Sequence, residues 1–414
     1  MAESDNLAEK IEKRLPKELA GFLRNAGRLA DSKNEKLYLV GGVVRDLLLD
    51  KTNLDIDLVV EGNAITFAGE LSKGEAGKIT IHKQFNTAKF DWHGWSIDVA
   101  SAREESYARP GALPAVKPGC LSDDLRRRDF TINAMAVCLS HDDYGRLIDP
   151  YGGQKDLESG KIRILHQQSF IDDSTRIWRG LRYEQRLDFQ LEPETLHLLK
   201  RDIPMLDTVS GDRIRYELEC ILKEELPEKV FRRADELGVL AKLSPSLKGD
   251  GWLADRFRKA RETCSPDKPP MSLYLALLTY NMESEAREQL ISYLKLPKKI
   301  AQTLRDTAAI KEKMPQLADA GLQPSAIYHL LEGYSAQSLT ASLIASDSAV
   351  AIQNIRLYTD KLRTVKPMLT GEDLIKMRVP QGPRIKEALG KLLDARLDDR
   401  VKTREDEERL IKSV

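Results

Sequence analysis

Residues 39–62, LVGGVVRDLLLDKTNLDIDLVVEG, carry the most informative pattern of the sequence. It predicts a strand, a sharp glycine turn into a helix, and a second strand that carries Asp55 and Asp57. Strands disfavour aspartate, and a buried carboxylate without a partner is costly. Alternate residues of a strand point to one face, so the two carboxylates are expected side by side. Two carboxylates inside an apolar strand therefore suggest that they have a chemical role.

The paired glycines upstream are suited to binding an anion. Gly41 and Gly42 permit a tight turn and let a ligand approach the backbone N–H groups. The start of the following helix favours negative charge, and Arg45 lies one turn into that helix. The spacing matches neither the dinucleotide-binding fingerprint nor the P-loop. Gly42 and Arg45 are therefore candidate nucleotide-binding residues.

The two aspartates fit a metal site better than a solvated surface. Adjacent carboxylates repel each other unless a cation neutralises them. Mg²⁺ prefers a few carboxylates together with phosphate oxygens, and it can stabilise both the attacking hydroxyl and the leaving pyrophosphate of an in-line displacement. A solvent-exposed aspartate pair would explain neither the glycine turn nor the apolar flanks. We therefore predict that Asp55 and Asp57 are catalytic residues and Mg²⁺ ligands.

The composition gives no general signal for nucleic-acid binding. The 414 residues contain 65 Lys plus Arg and 65 Asp plus Glu, so any contact with nucleic acid has to come from local clusters. The four cysteines form no CxxC pair, which argues against a zinc site or a disulfide framework and favours a reducing compartment. The polar N-terminus does not resemble a signal peptide, and no apolar run reaches membrane-spanning length. We expect a cytoplasmic protein without a membrane partner.

Hydrophobic periodicity divides the chain into two parts. Period-two alternation recurs from about residue 36 to 150, and a 3.6-residue period follows from about residue 165. The predicted fold class is α+β, with a mixed-sheet head followed by an all-α neck, body and tail. The predicted boundaries are 1–35 for an N-terminal helical segment, 36–160 for the head, 161–225 for the neck, 226–350 for the body and 351–414 for the tail.

Together with three further motifs, the opening stretch resembles the class II nucleotidyltransferases, that is, the bacterial-type tRNA CCA-adding enzymes and their poly(A) polymerase relatives. The motifs are DLRRRDFTINAMA (124–136), IDPYGGQKDLESGKIR (148–163) and FIDDSTRIWRGLRYEQRLDF (170–189). The resemblance implies a polymerase β-like catalytic head, a neck that recognises the nucleotide base and a tail that binds tRNA. It further implies an enzyme that adds CCA to tRNA 3′ ends from CTP and ATP, without a nucleic-acid template, and releases pyrophosphate.

The segment DDSTRIWRGLR is expected to act as a template made of protein. Cytosine and adenine both present an amine donor beside a ring-nitrogen acceptor, whereas guanine and uracil present the reverse. A carboxylate accepts and a guanidinium donates, so Asp173 beside Arg176 complements C and A. The resemblance assigns base recognition to these two residues, with Asp172 in the place of the family's glutamate, and nucleotide contacts to Arg179 and Arg182. The three-residue spacing places Asp173, Arg176 and Arg179 on one helix face, and the alternative is a solvated stripe of ion pairs.

Three further features complete the predicted site. Arg128 matches the family's nucleotide-binding arginine. Asp98, in WSIDVAS, is a candidate third carboxylate, although an outward-facing strand aspartate fits the same pattern. The segment REESYARPGALPAVKPGC (103–120) has no periodicity and is predicted to be a long mobile loop. The resemblance implies that this loop helps to shift specificity from C to A.

The predicted partners are the 3′ acceptor end of tRNA, CTP and ATP, with no obligate protein partner. Shape and phosphate recognition of tRNA requires a basic track. The candidates are Lys298 and Lys299 in KLPKKIAQTLR, and Arg384 and Lys386 in VPQGPRIK.

Two alternatives to full CCA addition stay open. The first is a related enzyme that adds only A or only CC, or a poly(A) polymerase. The second is a non-catalytic RNA-binding protein of the same fold, which would leave Asp55 and Asp57 without an explanation.

Overall fold

The computed structural model describes residues 6–73 and 79–412. These residues form two compact units. The first comprises the described residues up to Leu226 together with Leu237–Lys242, and the second comprises Pro227–Glu236 and the described residues from Leu243 onward. The predicted α+β class is confirmed, since a mixed sheet occupies the first unit and helices dominate the rest. The finer division into neck, body and tail stays a prediction. None of the helices in the described parts of the chain is both long and apolar enough to cross a bilayer.

The first unit is built on a seven-stranded sheet in the order β3-β4-β5-β2-β1-β8-β9. Its strands β2 and β5 run parallel, whereas the other paired neighbours run antiparallel. Over the described residues the strands are β1 Lys36–Val40, β2 Ile56–Glu61, β3 Thr80–His82, β4 Thr87–Trp92, β5 Trp95–Ser101, β6 Arg103–Ser106, β7 Ala115–Pro118, β8 Ala136–Cys138, β9 Leu147–Ile148, β10 Lys161–Ile162 and β11 Gln190–Leu191.

Ten α-helices of the first unit surround this sheet or follow it in the described chain. They are α1 Ala8–Arg14, α2 Lys17–Ser32, α3 Gly42–Leu48, α4 Ala64–Leu71, α5 Leu121–Arg126, α6 Gly153–Glu158, α7 Ser169–Asp172, α8 Thr175–Leu187, α9 Pro193–Asp202 and α10 Gly211–Leu222. Short 3-10 helices cover Lys83–Phe85, Thr131–Asn133, His141–Asp143, Ile203–Thr208 and Leu240–Lys242.

Apolar periodicity explains how helix α2 packs on the sheet. Leu19, Leu23 and Ala26 recur on one face of the helix and are fully buried. Gly27 continues this face, and a Cβ there would lie 1.9 Å from the backbone oxygen of Leu139. Only glycine permits this close approach of the helix to the chain after β8.

Three local predictions need correction. Asp55 lies one residue before β2 rather than within it, so only Asp57 is a strand residue. Residues 103–120 are not a structureless loop, because β6 and β7 pair as an antiparallel hairpin around the connection 107–114. The chain after residue 165 is not wholly helical, since Gln190–Leu191 forms β11 and pairs in parallel with β10.

The second unit is helical throughout its described residues. Its helices are α11 Pro227–Glu236, α12 Gly251–Cys264, α13 Met271–Leu278, α14 Ser284–Tyr293, α15 Lys298–Leu317, α16 Pro324–Leu331, α17 Ala336–Ala345, α18 Ala349–Asp360, α19 Gly371–Lys376, α20 Pro383–Leu397 and α21 Arg404–Lys412, with a 3-10 turn at Leu362–Thr364. Ile310, Leu331 and Ile355, from α15, α16 and α18, are fully buried in a shared core.

Candidate active site

A cavity of about 880 Å³ lies in the first unit. Its walls come from the turn between β1 and α3, the start of β2, the chain after α5, and helices α8 and α10. Among the described residues, nine arginines and seven carboxylates line it. Such a density of guanidinium groups is suited to a polyphosphate ligand, because guanidinium donors match phosphate oxygens.

The glycine turn brings a cation and a carboxylate together at one end of the cavity. Gly41 has a φ of +75°, which favours glycine. A Cβ at this position would lie 3.0 Å from Nη1 of Arg128 and 3.6 Å from Oδ2 of Asp57. Arg128 also donates to Asp124 through Nη2 at 2.8 Å. Gly41 therefore leaves room for the Arg128 guanidinium beside Asp57.

The predicted acidic pair lines this cavity. Asp57 is half-buried, and Asp55 is exposed. Burial raises the pKa of Asp57 to about 6, the neighbouring carboxylates of Asp55 and Asp98 add to this rise, and the charge of Arg128 opposes it. The position suits a cation, since a bound cation would relieve the repulsion between the carboxylates.

Asp98 is the register partner of Asp57 in the parallel pairing of β2 with β5. Its Oδ2 accepts from Nζ of Lys89 at 2.6 Å, so a lysine already neutralises this carboxylate. Within residues 6–73 and 79–412, no group of three or more His, Cys, Asp or Glu side chains is arranged to hold a metal. Asp98 thus lies next to the acidic pair without forming a three-carboxylate cluster with it.

Arg45 is in the cavity lining, but its donors are engaged. The guanidinium donates to both oxygens of Asp46, at 2.9 and 3.0 Å, and to Oδ1 of Asn133 at 2.8 Å. The residue is 2% exposed. Arg45 therefore fastens α3 to the 3-10 turn that contains Asn133, and reaching a phosphate would require it to exchange one of these bonds. Gly42, at the start of α3, also lines the cavity.

Arg179 and Arg182 project from α8 into the cavity with different partners. Arg179 donates to Oδ2 of Asp129 from Nε and Nη2, at 2.8 and 2.6 Å. Arg182 donates to Glu224 at 3.1 Å, while its buried Nε has no hydrogen-bond partner in the described structure. The ring of Tyr183 lies 5.7 Å from the Arg179 guanidinium and 4.9 Å from that of Arg182. Arg182 therefore has one buried donor that no described protein group satisfies.

Asp173 and Arg176 are close in sequence but have different surroundings. Asp173 is the C-cap residue that follows α7 and it precedes α8, so it does not lie on the helix that carries the arginines, contrary to the prediction from spacing. Its Oδ1 accepts from Nη2 of Arg213 at 2.7 Å. Arg176 is 5% exposed and donates to Ser169 and to the backbone oxygen of Arg127. In this conformation the guanidinium that touches Asp173 is therefore that of Arg213.

Asp172 faces a different cavity. This second space, of about 380 Å³, is also lined by His166 and Arg126, and Nε2 of His166 lies 3.9 Å from the Asp172 carboxylate. Asp172 is not among the residues that line the main cavity. The Asp172 carboxylate thus lies outside the main cavity, in a space that shares Arg127 and Arg176 with it.

Helix α10 contributes a cavity wall that no motif indicated. One face of this helix, Asp212, Arg213, Tyr216, Glu217 and Cys220, lines the cavity, while the opposite face, including Ile214 and Leu218, is buried. The sequence RIRYELEC holds the signal, since polar residues at helical spacing oppose an apolar stripe. The same pattern is typical of a solvated helix, and only the fold places this face in the site.

The predicted RNA contacts lie in the second unit. Lys298 and Lys299 begin α15 and are exposed, and Arg384 and Lys386 are exposed in the first turn of α20.

Two family models match the chain. Residues 37–163 match the poly A polymerase head domain, and residues 188–250 match a region described as "Probable RNA and SrmB- binding site of polymerase A". The A-adding tRNA nucleotidyltransferase of Halalkalibacterium halodurans is 33% identical over 397 residues, which cover 93% of this chain and 90% of that protein. The A-adding tRNA nucleotidyltransferase of Geobacter sulfurreducens is 34% identical over 97% of this chain. The chain spans about half the length of the Geobacter protein, with 47% of it covered.

Solved structures agree with these relatives over nearly the whole chain. A CCA-adding enzyme in apo form II is 32% identical, with a TM-score of 0.84 and 99% of each chain covered. The Thermotoga maritima CCA-adding enzyme complexed with tRNA_CCA is 31% identical, with a TM-score of 0.77 and coverage of 99% of this chain and 98% of that one. A CCA-adding enzyme in complex with ATP is 31% identical over 99% of each chain, with a TM-score of 0.82. The chain belongs to the family of tRNA nucleotidyltransferases and poly(A) polymerases.

Proposed function

We propose that this protein adds C, C and A to the 3′ ends of tRNA from CTP and ATP, without a nucleic-acid template, and releases pyrophosphate. The observation that carries the proposal is that one cavity joins Asp55 and Asp57 to Asp173 and a set of arginines. The acidic pair is suited to phosphoryl transfer, and Asp173 is suited to reading a base. The likeness to CCA-adding enzymes, including structures with tRNA, ATP and CTP, supports the same activity. The cytoplasm is the proposed location.

Nucleotidyltransferases of this family normally use a divalent metal, and we propose Mg²⁺ held by Asp55 and Asp57. The residues fit such an ion, because both carboxylates line one cavity, and burial and charge repulsion raise the pKa of Asp57. When bound, the metal would neutralise developing charge on the attacking and leaving oxygens. Asp98, already paired with Lys89, stands outside the proposed pair of ligands.

The arginines are proposed to bind and orient the triphosphate. Arg128 is held by Asp124 with Nη1 on the side of Asp57, which places a positive charge beside the acidic pair. Arg182 retains a free buried Nε, and Arg179 is oriented by Asp129. Fixed donors of this kind stabilise charge without having to reorganise during the reaction.

Base selection is proposed to depend on Asp173. A carboxylate can accept a hydrogen bond from the exocyclic amine of C or A. G and U present an oxygen acceptor at that position, and two acceptors cannot form a hydrogen bond with each other. Arg176 would supply the complementary donor by exchanging one of its bonds to Ser169 or to the Arg127 carbonyl. The exposed cations Lys298, Lys299, Arg384 and Lys386 of the second unit are proposed to contact tRNA phosphates.

A second candidate is A addition alone. It is favoured by a specific observation, since two relatives that align with 97% and 93% of this chain are both A-adding enzymes. Cytosine and adenine share the feature that Asp173 would read, so the polarity argument applies equally to both activities.

A stepwise extension assay tests the proposal. Three tRNA transcripts, ending before CCA, after C and after CC, are each incubated with CTP alone, ATP alone or both. Full CCA addition predicts extension of the first two transcripts by CTP and of the third by ATP. Extension of the third transcript only would identify an A-adding enzyme. No extension of any transcript would contradict nucleotidyl transfer to tRNA.

A further inference from the structure

We propose that Arg213 is a positioning residue for base selection, which fixes the Asp173 carboxylate so that one defined oxygen is presented to the incoming base. This inference rests on the proposed function. It assigns a specificity role to α10, a helix that lies outside the sequence motifs of the predicted site.

The hydrogen bonds to the Asp173 carboxylate are unevenly distributed. Oδ1 accepts from Nη2 of Arg213 at 2.7 Å, and from the backbone N and Oγ1 of Thr175 at 3.0 and 2.6 Å. Within the described residues, all hydrogen bonds to this carboxylate end on Oδ1. The three donors saturate Oδ1, so Oδ2 is the atom left to accept from an exocyclic amine.

Arg213 is itself held at a second point. Its Nη1 donates to the backbone oxygen of Gly111 at 3.3 Å, in the connection between β6 and β7. A planar guanidinium fixed through two nitrogens has a defined orientation, which a single-point cation would lack. The Arg213 side chain is 25% exposed and that of Asp173 is 20% exposed, so both reach the cavity without being fully solvated. Partial burial makes this ion pair better defined than a surface pair.

Thr175 alone would not orient the carboxylate in the same way. Both of its donors belong to the residue two positions along the chain, and they form a local turn that caps the start of α8. Arg213 lies 40 residues away and approaches from another helix. It adds a constraint from across the cavity, and its loss would free the carboxylate to rotate and present either oxygen, or none, to the base.

The test compares selectivity in five proteins acting on a tRNA transcript that lacks CCA. The proteins are wild type, Arg213→Ala, Asp173→Ala, the double variant, and Arg215→Ala as the matched control. Arg215 lies on the same helix, is also 25% exposed and forms ion pairs, but it does not line the cavity. The quantity measured is the ratio of kcat/KM for CTP to that for UTP, alongside the melting temperature.

We expect Arg213→Ala to lower this ratio roughly ten- to one-hundredfold, the range expected for loss of one well-formed base contact. The double variant should match Asp173→Ala, because Arg213 acts through Asp173 and the two effects are not additive. Arg215→Ala should keep the wild-type ratio. A wild-type ratio in Arg213→Ala, or a double variant whose loss is the product of the two single losses, would overturn the inference.

The outcome separates this inference from the proposed function. An inactive wild-type protein would contradict the proposed function, whereas an active and selective wild type with an equally selective Arg213→Ala would contradict only the role of Arg213. If Arg213→Ala does not fold, Arg213→Lys carries the test. Lysine keeps the charge but cannot fork between Asp173 and Gly111, so a lowered ratio supports the inference and a wild-type ratio overturns it.

Discussion

Oδ2 of Asp129 accepts two hydrogen bonds from the guanidinium of Arg179, at 2.8 and 2.6 Å, and joins the chain after α5 to helix α8. Oδ1 of the same carboxylate accepts from Asn133 and from the backbone of Phe130. Asp129 is 7% exposed. The pair therefore connects the glycine-turn side of the cavity to the helix that carries the cavity arginines.

Removing Arg179 should be strongly destabilising, because it leaves the Asp129 charge buried without its partner. Arg179→Met is expected to lower the free energy of unfolding by about 3–5 kcal/mol, as measured by urea denaturation. Adding Asp129→Asn should recover a large part of this loss. Arg186→Met, on the same helix, is the control, since Arg186 is 40% exposed and its loss should cost less than about 1 kcal/mol. An equally small effect at Arg179 would contradict the structural role of the pair.

The same pair predicts an acid-dependent loss of stability. Burial raises the pKa of Asp129, but Arg179 and Asn133 outweigh this and hold it at about 2. A folded-state pKa below the unfolded value stabilises the protein at higher pH, and this contribution disappears as the pH falls from about 4 to 2. The gap in unfolding free energy between wild type and Asp129→Asn should therefore narrow by about 2 kcal/mol over this interval. A gap that does not change with pH would show that Asp129 titrates normally.

The acidic pair should be indispensable for turnover but not for RNA binding. Asp55→Ala or Asp57→Ala is expected to abolish nucleotide incorporation in a tRNA extension assay, because the proposed metal loses a ligand. Binding of tRNA, measured by filter retention, should stay near wild type. Asp50→Ala, an exposed aspartate paired with Lys10 and Arg14, is the control and should remain active. Substantial turnover in either site variant would remove that residue from the catalytic role.

Periodicity and spacing predicted the features that depend on local sequence. The order of strand, glycine turn, helix and second strand over residues 39–62 could be predicted, because side-chain faces follow from the backbone period. The start of β2 was placed too early, since Asp55 lies before the strand. The hairpin of β6 and β7 could not, since its strands contain charged residues and a proline and lack an apolar face. Periodicity and spacing did not predict the partners of the ion pairs either. Arg45 pairs with the adjacent Asp46, and Asp173 pairs with Arg213 from 40 residues away. Tertiary packing determines which ion-pair partner each of these residues has, and local sequence patterns do not encode that packing.

The exposed basic residues of the second unit should affect tRNA binding but not nucleotide binding. Charge reversal at Lys298 and Lys299, or at Arg384 and Lys386, is expected to raise the KM for tRNA and to flatten its dependence on salt, because phosphate contacts release counterions. The KM for CTP should change little. The control reverses Lys17 and Arg28, which are exposed on α2 of the first unit. If only the KM for the nucleotide changed, these residues would not be the ones that contact tRNA.

Measuring kcat/KM for CTP, ATP, UTP and GTP with wild type and Asp173→Ala tests most directly whether Asp173 selects the base. We propose that the Asp173 carboxylate replaces a template by accepting from the amine shared by C and A. Removing it should lower the use of CTP and ATP and relax the rejection of UTP and GTP, with a loss of discrimination of about 1–3 kcal/mol. If the kcat/KM values of the four nucleotides keep their wild-type ratios in Asp173→Ala, the carboxylate does not read the base, which contradicts its proposed role as a template.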